Sequence, residues 1–313
     1  MKLRFAHLCS ILALLTCGSG AWALSANSQP VKTSGIAPAL LAKAKAGDAE
    51  AEFYLSLRYF DLGNQMESCR WVRAAAGNGD AVAQVALATF YENGSDGSNL
   101  CAVARDYAQA AFWYRKAADQ GKPGAQLALG NLYHNGQGVQ RDDVQATAWY
   151  RKAAEQGDVD AQYSLGVAYL FGKGVPVDAR QGMTWLRKAA SQGNSTAQTD
   201  LAHIYLRGEA VPQDYSKAVY WYRIAAEHGN PDGQAALASL YEIGEGVPKS
   251  YADAYFWMSL AAANPELSGN YHFLADQDAA ARDRIALHLS RTVLLDTQGR
   301  VRKWLEDDPA KPQ

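Results

Sequence analysis

Apolar residues recur along this chain in a pattern that changes partner but not period. Between Gly121 and Gln156, Ala125, Leu129, Leu132 and Tyr133 fall at i, i+4, i+7 and i+8, one stripe of an amphipathic helix. Gly136-Gln137-Gly138 follows, and glycine there supplies the left-handed turn that ends a helix at little steric cost. Asp142 stands where a second helix begins. Its carboxylate can accept the orphan N–H groups of a first turn and suits the positive end of the helix dipole. Ala146, Trp149, Tyr150, Ala153 and Ala154 make the apolar face of that second helix, and Gly157 stops it. The pattern predicts a helical hairpin.

The same marks return every 36 residues. Trp113, Trp149, Trp185, Trp221 and Trp257 keep the step, as do Asp106, Asp142, Asp178, Asp214 and Ser250. Gly121, Gly157, Gly193 and Gly229 form another series, and Tyr133, Tyr169, Tyr205 and Tyr241 another. Several residue types in register over about 160 residues mark an internal repeat. Gly130, Gly166, Ala202 and Ala238 share one position, where a bulky side chain would hold helices apart. One hairpin cannot bury both of its faces, so the units must stack. The expected fold is all-α, a right-handed α-solenoid of about six helix-turn-helix repeats with helical caps.

These residues resemble the Sel1-like repeat family, a relative of the tetratricopeptide repeats. The family's pattern stands here as Ala125-Gln126, Leu129-Gly130, Tyr133, Gly136-Gln137-Gly138-Val139, Asp142, Ala146, Trp149-Tyr150-Arg151-Lys152-Ala153-Ala154 and Gly157. It recurs from Ala161 to Gly193, more loosely from Ala197 to Gly229, and again from Gln234 to Ala262, so the resemblance covers about 220 residues. It implies a scaffold or adaptor in protein assemblies, in many members exported by bacteria. In related helical-repeat folds the first helix of each unit lines the concave groove.

The period sets the expected boundaries. A solenoid over 36–265 holds a half-repeat cap at 36–46 and repeats near 47–78, 79–120, 121–156, 157–192, 193–228 and 229–265. The second repeat is long: Gly94 to Asp106 is 12 residues where Gly136 to Asp142 is 6. From Pro265 the pattern stops, and 266–313 is expected to be a C-terminal helical cap, with one helix over Asp276–Leu289 and another capped by Ser290 and running towards Trp304. Residues 24–35 are polar and expected to be a flexible linker.

The N-terminus reads as a signal peptide, residues 1–23. Lys2 and Arg4 precede a short apolar run, Leu8–Thr16, and Ala21-Trp22-Ala23 offers small residues at a cleavage site after Ala23. The run is too short to span a bilayer. Cys17 as a lipoprotein site is disfavoured by the Thr before it. A periplasmic or secreted protein is expected, with no transmembrane segment in the mature chain. The net charge of −2 becomes −2 − 2 = −4 on cleavage, which argues against a nucleic-acid partner. Cleavage leaves two cysteines, Cys69 and Cys101. Cys69 lies near the start of the first unit's second helix and Cys101 in the long loop of the second unit. Those helices are expected to be antiparallel neighbours, so a disulfide between them is predicted in an oxidising compartment.

No catalytic pattern emerges. The six histidines show neither HExxH nor zinc-ligand spacing, and there is no GxSxG, phosphate loop or S-x-x-K. The Gly-x-Gly pairs recur with the repeat, so they are turns. No catalytic residue, cofactor or metal is assigned. Some cysteine-rich secreted relatives are described as binding or hydrolysing penicillins, but one disulfide per repeat is lacking here. The repeating Trp, Tyr and Ala are assigned to the core.

Function is expected where repeat positions vary. On the first helices these are Leu127, Asn131 and His134; Tyr163, Val167 and Leu170; Thr199, His203 and Leu206; and Ala235, Ser239 and Glu242. The expected role is a non-enzymatic protein–protein interaction scaffold acting outside the cytoplasm, in envelope assembly, sensor regulation or host contact, and monomeric. The alternatives are a binder of a cell-wall or polysaccharide ligand, or a β-lactam-binding or -hydrolysing member. Replacing Asn131, His134 and His203 together is expected to leave melting nearly unchanged.

Overall fold

A computed structural model describes residues 36–94, 101–263 and 272–307. The expected signal peptide and linker lie outside the described residues, as does part of the long loop, 95–100. Residues from Pro38 onward pack as one unit. Its described residues hold fifteen helices and no strand. They are α1 (Pro38–Lys45), α2 (Ala49–Asp61), α3 (Gln65–Gly77), α4 (Ala81–Asn93), α5 (Tyr107–Asp119), α6 (Pro123–Asn135), α7 (Asp143–Glu155), α8 (Val159–Phe171), α9 (Ala179–Ser191), α10 (Ser195–Arg207), α11 (Tyr215–Glu227), α12 (Pro231–Ile243), α13 (Tyr251–Ala262), α14 (His272–Ala286) and α15 (Arg291–Asp307). From α2 to α13 they pair into six hairpins, each packed on the next, with α1 before them and α14 and α15 after.

Caps set the helix starts. Asp106, Asp142, Asp178 and Asp214 accept backbone N–H groups at the start of α5, α7, α9 and α11. The first helices are capped as well, by Asp80, Asp158, Asn194 and Asn230 for α4, α8, α10 and α12. Helix α6 has no side-chain cap and starts instead on Pro123, whose missing N–H is no loss there. Gly136 ends α6 in the left-handed conformation at φ 69°. Two residues on, Gly138 lies so close to the Tyr107 backbone that no Cβ would fit. The turn between the helices of one unit thus docks on the second helix of the unit before.

The core runs along the array as repeating layers. Leu129, Leu165, Leu201 and Leu237 on the first helices are fully buried, and the paired alanines of the second helices pack with them. Small residues permit this approach: a Cβ on Gly130 would lie 2.6 Å from the Tyr150 ring. The tryptophans correct the expectation in degree. Trp149 and Trp257 are buried, whereas Trp113, Trp185 and Trp221 are only half-buried. They stand at the outer edge of the seam, where Lys116, Lys152 and Lys188 lay their ammonium groups 5.2, 3.8 and 4.0 Å from the Trp113, Trp149 and Trp185 rings.

Polar ladders tie each unit to the next. Arg115, Arg151, Arg187 and Arg223 donate to the hydroxyls of Tyr133, Tyr169, Tyr205 and Tyr241, in each case one helix on. A second ladder is built of amides. Gln84, Gln126 and Gln162 donate to the carbonyls of Ala76, Ala118 and Ala154, and accept from Gln120, Gln156 and Gln192. This ladder stops short at Gln198 and Gln234, whose buried Oε1 atoms both lack a partner among the described residues. His228 stands 36 residues after Gln192, and its Nδ1 faces the Ile224 carbonyl.

The ends are closed differently. Cys69 on α3 and Cys101 before α5 form a disulfide, with Cα atoms 5.0 Å apart. At the other end α13 packs on both α14 and α15. Trp304 sets its ring edge-on to Trp257 and Phe256, centroids 5.7 and 6.0 Å away, and Ile285 is fully buried. Helix α14 begins at His272, before the expected Asp276, and ends at Ala286 rather than Leu289. Ser290 caps α15, its Oγ accepting from the Val293 N–H at 3.4 Å.

Candidate protein-binding face

On α8, α10 and α12 some of the varying first-helix positions come together on one face. Contact across that face is direct: the Tyr163 hydroxyl on α8 donates to Asp200 on α10 at 3.0 Å. Burial raises the Asp200 carboxyl above the usual range, against the lowering effect of that hydrogen bond, and pushes Tyr163 up to about 12.

Beneath the face runs the residue that follows each tryptophan. It comes from the second helix and reaches under the first. In the second hairpin it is Tyr114, whose hydroxyl donates to Glu92 at 2.7 Å and lies 3.1 Å from Thr89. In the third it is Tyr150, donating to Asn131 Oδ1 at 2.8 Å, its pKa pushed up to about 12 mainly by burial. In the fourth it is Leu186, fully buried against Gly166 of the first helix, in the cluster that Val167 and Leu170 pack on. In the fifth it is Tyr222, 0% exposed, meeting the His203 ring edge-on at 5.4 Å. Its hydroxyl has no hydrogen-bond partner among the described residues.

The positions singled out from the sequence therefore differ in what they are free to do. Asn131 is engaged by Tyr150, and His134 Nδ1 lies 2.7 Å from Asp143 Oδ1. That contact first, then Arg141, holds the Asp143 carboxyl below the usual range. Asn131 and His134 each join the two helices of their own hairpin, a structural tie that the sequence reading did not assign to them. Leu127, Val167 and Leu170 are half-buried against the core. Thr199 is buried, its hydroxyl donating to the Ser195 and Thr196 carbonyls. Glu242 accepts from Arg284 of the C-terminal cap at 2.9 Å. His203 and Ser239 remain exposed, and Ala235 and Leu206 half-buried.

His203, Leu206 and Ser239 come together in a cleft of about 320 Å³ between α10 and α12. Tyr222, Leu240 and Ile243 complete its walls, with Tyr215 and Glu245 also lining it. Sequence reading missed these last five. Tyr222 was hidden by its register among core residues, while Ile243 is apolar and exposed at a position held by Asn135 in α6, the likewise exposed Phe171 in α8 and Arg207 in α10. No group of three or more His, Cys, Asp or Glu among the described residues could hold a metal. No helix among them is long and apolar enough to cross a membrane.

Stacked hairpins with a variable face define a helical-repeat protein. The Sel1 repeat model matches five consecutive segments, 81–122, 123–158, 159–194, 195–230 and 231–265, and the chain belongs to the Sel1 repeat family. Proteins of this family generally mediate protein–protein interaction and are typically non-catalytic scaffolds. Among solved structures, the chain is similar to c5321, described as a protective antigen present in uropathogenic Escherichia coli strains and displaying an SLR fold. The identity is 34% and the TM-score 0.67, over 87% of this chain and 59% of the antigen. The chain thus spans less than two thirds of that relative's length. A Sel1 repeat protein from Oxalobacter formigenes is 28% identical with a TM-score of 0.61, over 68% of this chain and 85% of the other. No curated protein matches the sequence.

Proposed function

We propose that the chain is a non-enzymatic adaptor that docks a partner protein on the face of its first helices, and that it acts outside the cytoplasm. The observation that carries this reading is the largely apolar cleft between α10 and α12, open on that face beside the exposed His203 and Ser239. Exposed apolar surface rimmed by polar groups is the usual mark of an interaction site. Export rests on the signal-peptide reading of residues 1–23, and the likeness to a protective antigen supports host contact among the roles considered.

A photo-crosslinking residue placed at His203 in living cells tests the face. A specific adduct that is absent when the same residue replaces Lys152 on the opposite side supports the reading. Equal adducts from both sites, or none from His203, overturn it. Cell fractionation with N-terminal sequencing tests export: a mature chain starting at Leu24 is expected, and a cytoplasmic chain starting at Met1 contradicts it.

A further inference from the structure

Tyr222 is fully buried at the cleft, yet its hydroxyl has no partner among the described residues. Buried hydroxyls are normally hydrogen-bonded, and one left unpaired at a cleft needs a reason. The same chain shows what this position takes. Tyr150, 72 residues earlier, donates to the amide oxygen of Asn131. At the register of Asn131 the fifth hairpin has His203, which meets the Tyr222 ring rather than its hydroxyl.

We propose that the cleft receives a neutral carboxamide side chain, glutamine or asparagine, from a segment of a partner protein, with Tyr222 donating to its carbonyl oxygen. This rests on the docking reading above and names the chemistry the docked segment must bring. The choice of a neutral amide follows from the walls. Leu206, Leu240 and Ile243 offer no compensation to a charge leaving water. Burial first raises the Tyr222 pKa; Arg207 works against that rise, while Asp200 and Asp232 add to it, so a carboxylate would meet Glu245 at the cleft and two further aspartates near the hydroxyl against one arginine. A lysine or arginine brings donors only, leaving the phenol proton, which burial holds in place, still unpaired. An amide supplies the acceptor while its NH2 faces the rim, where the exposed His203 can rotate to admit it. At about 320 Å³ the cleft is at the small end of ligand sites, matching one side chain and its neighbours rather than a helix.

Selection from a random peptide library displayed on phage, run on the wild-type protein and on Tyr222→Phe, tests this. Wild-type selections should enrich glutamine or asparagine at one fixed position with apolar neighbours. A synthetic peptide from the enriched set should lose about three- to tenfold in affinity on Tyr222→Phe, the worth of one neutral hydrogen bond. Replacing its amide by leucine should cost a similar factor on the wild type and nearly nothing on Tyr222→Phe. Ser239→Trp, which fills the cleft from an exposed position, should abolish binding. Peptides that enrich acidic or purely apolar residues, or that bind Tyr222→Phe equally, overturn the amide while leaving the docking face intact. Peptides untouched by Ser239→Trp, or no enrichment at all, overturn the cleft as a peptide site, and crosslinking at His203 then judges the wider face separately. A melting temperature for Tyr222→Phe that falls as far as that of Tyr150→Phe also overturns the proposal, since it would mean that His203 already pairs with the hydroxyl.

Discussion

The third and fifth hairpins are built alike and finished differently. Each buries a leucine of its first helix, Leu129 or Leu201, in one cluster with the paired alanines of the preceding hairpin's second helix, Ala117 and Ala118 or Ala189 and Ala190. Each sends a tyrosine under the first helix, Tyr150 or Tyr222. In the third hairpin that tyrosine is tied down by Asn131, and His134 is tied to Asp143 beside it. In the fifth, His203 and Leu206 stand at those positions, the hydroxyl is unpaired and a cleft opens. The difference separates two demands on one scaffold. Residues that repeat hold the array together, and residues that vary either close a hairpin's face or leave it open to a partner.

The shared part of the comparison has the largest expected effect. Leu129→Ala and Leu201→Ala should each destabilise by about 2–5 kcal/mol, as truncation of a fully buried leucine does. Urea denaturation with matched m-values checks it. A cost for Leu201→Ala of under about 1 kcal/mol, far below the buried-leucine range, would break the comparison, because the fifth hairpin would then not be packed like the third.

The finish of the two hairpins is sharpened by removing one oxygen from each. Tyr150→Phe takes away a satisfied hydrogen bond and should cost about 0.5–1.5 kcal/mol. Tyr222→Phe removes a buried hydroxyl with nothing to bond to, so it should be neutral or raise the melting temperature. Equal losses at both sites would show the two hydroxyls to be equally well paired.

Most of the scaffold was legible because its marks are tied to backbone conformation. Gly136 is needed for a left-handed turn and Gly138 for a close approach, so a helix end and a unit contact both leave a trace in the sequence. Asp142 caps a helix wherever it recurs. Depth of burial leaves no such trace. Trp149 and Trp185 hold the same register, yet the first is buried and the second half-exposed beneath Lys188. Variation along the first helices singled out positions but could not say which of them are already engaged. Asn131 and His203 look equally free as letters, and only the tyrosine below tells them apart. That tyrosine repeats as a core residue does, which concealed its unpaired end.

Transplanting the third hairpin's solution into the fifth is the next, smaller test. His203→Asn should offer Tyr222 the amide oxygen that Tyr150 finds in Asn131. A gain of up to about 1 kcal/mol is expected, and it should vanish when Tyr222→Phe is added. The double-mutant cycle isolates the new bond from any change in helix propensity. The same substitution should weaken partner docking, since the cleft would be closed from within.

The smallest expected effect is in the sign of the pH dependence, where the hairpins again part. Asp143 has its carboxyl held down by His134 first and by Arg141, whereas burial holds the Asp200 carboxyl up. An unfolded aspartate titrates near about 3.9. For Asp143 the folded value lies below that, so its contribution is present above the unfolded value and is lost as pH falls through the folded one. Asp143→Asn should therefore flatten the acid limb of the stability curve. For Asp200 the folded value lies above the unfolded one. Its contribution is full below the unfolded value and is lost as pH rises through the folded one, so by neutral pH the ionised, half-buried carboxylate weighs against folding. Asp200→Asn, which keeps an acceptor for the Tyr163 hydroxyl, should raise the melting temperature slightly at pH 7 and gain nothing in acid. Melting curves from pH 3 to pH 7 for the two variants should then approach wild type in acid and depart from it in opposite directions at pH 7, Asp143→Asn below and Asp200→Asn above. A loss of stability at pH 7 for Asp200→Asn would mean that the charge on Asp200 helps to hold α8 against α10, and that the fifth hairpin's face is as firmly tied as the third's.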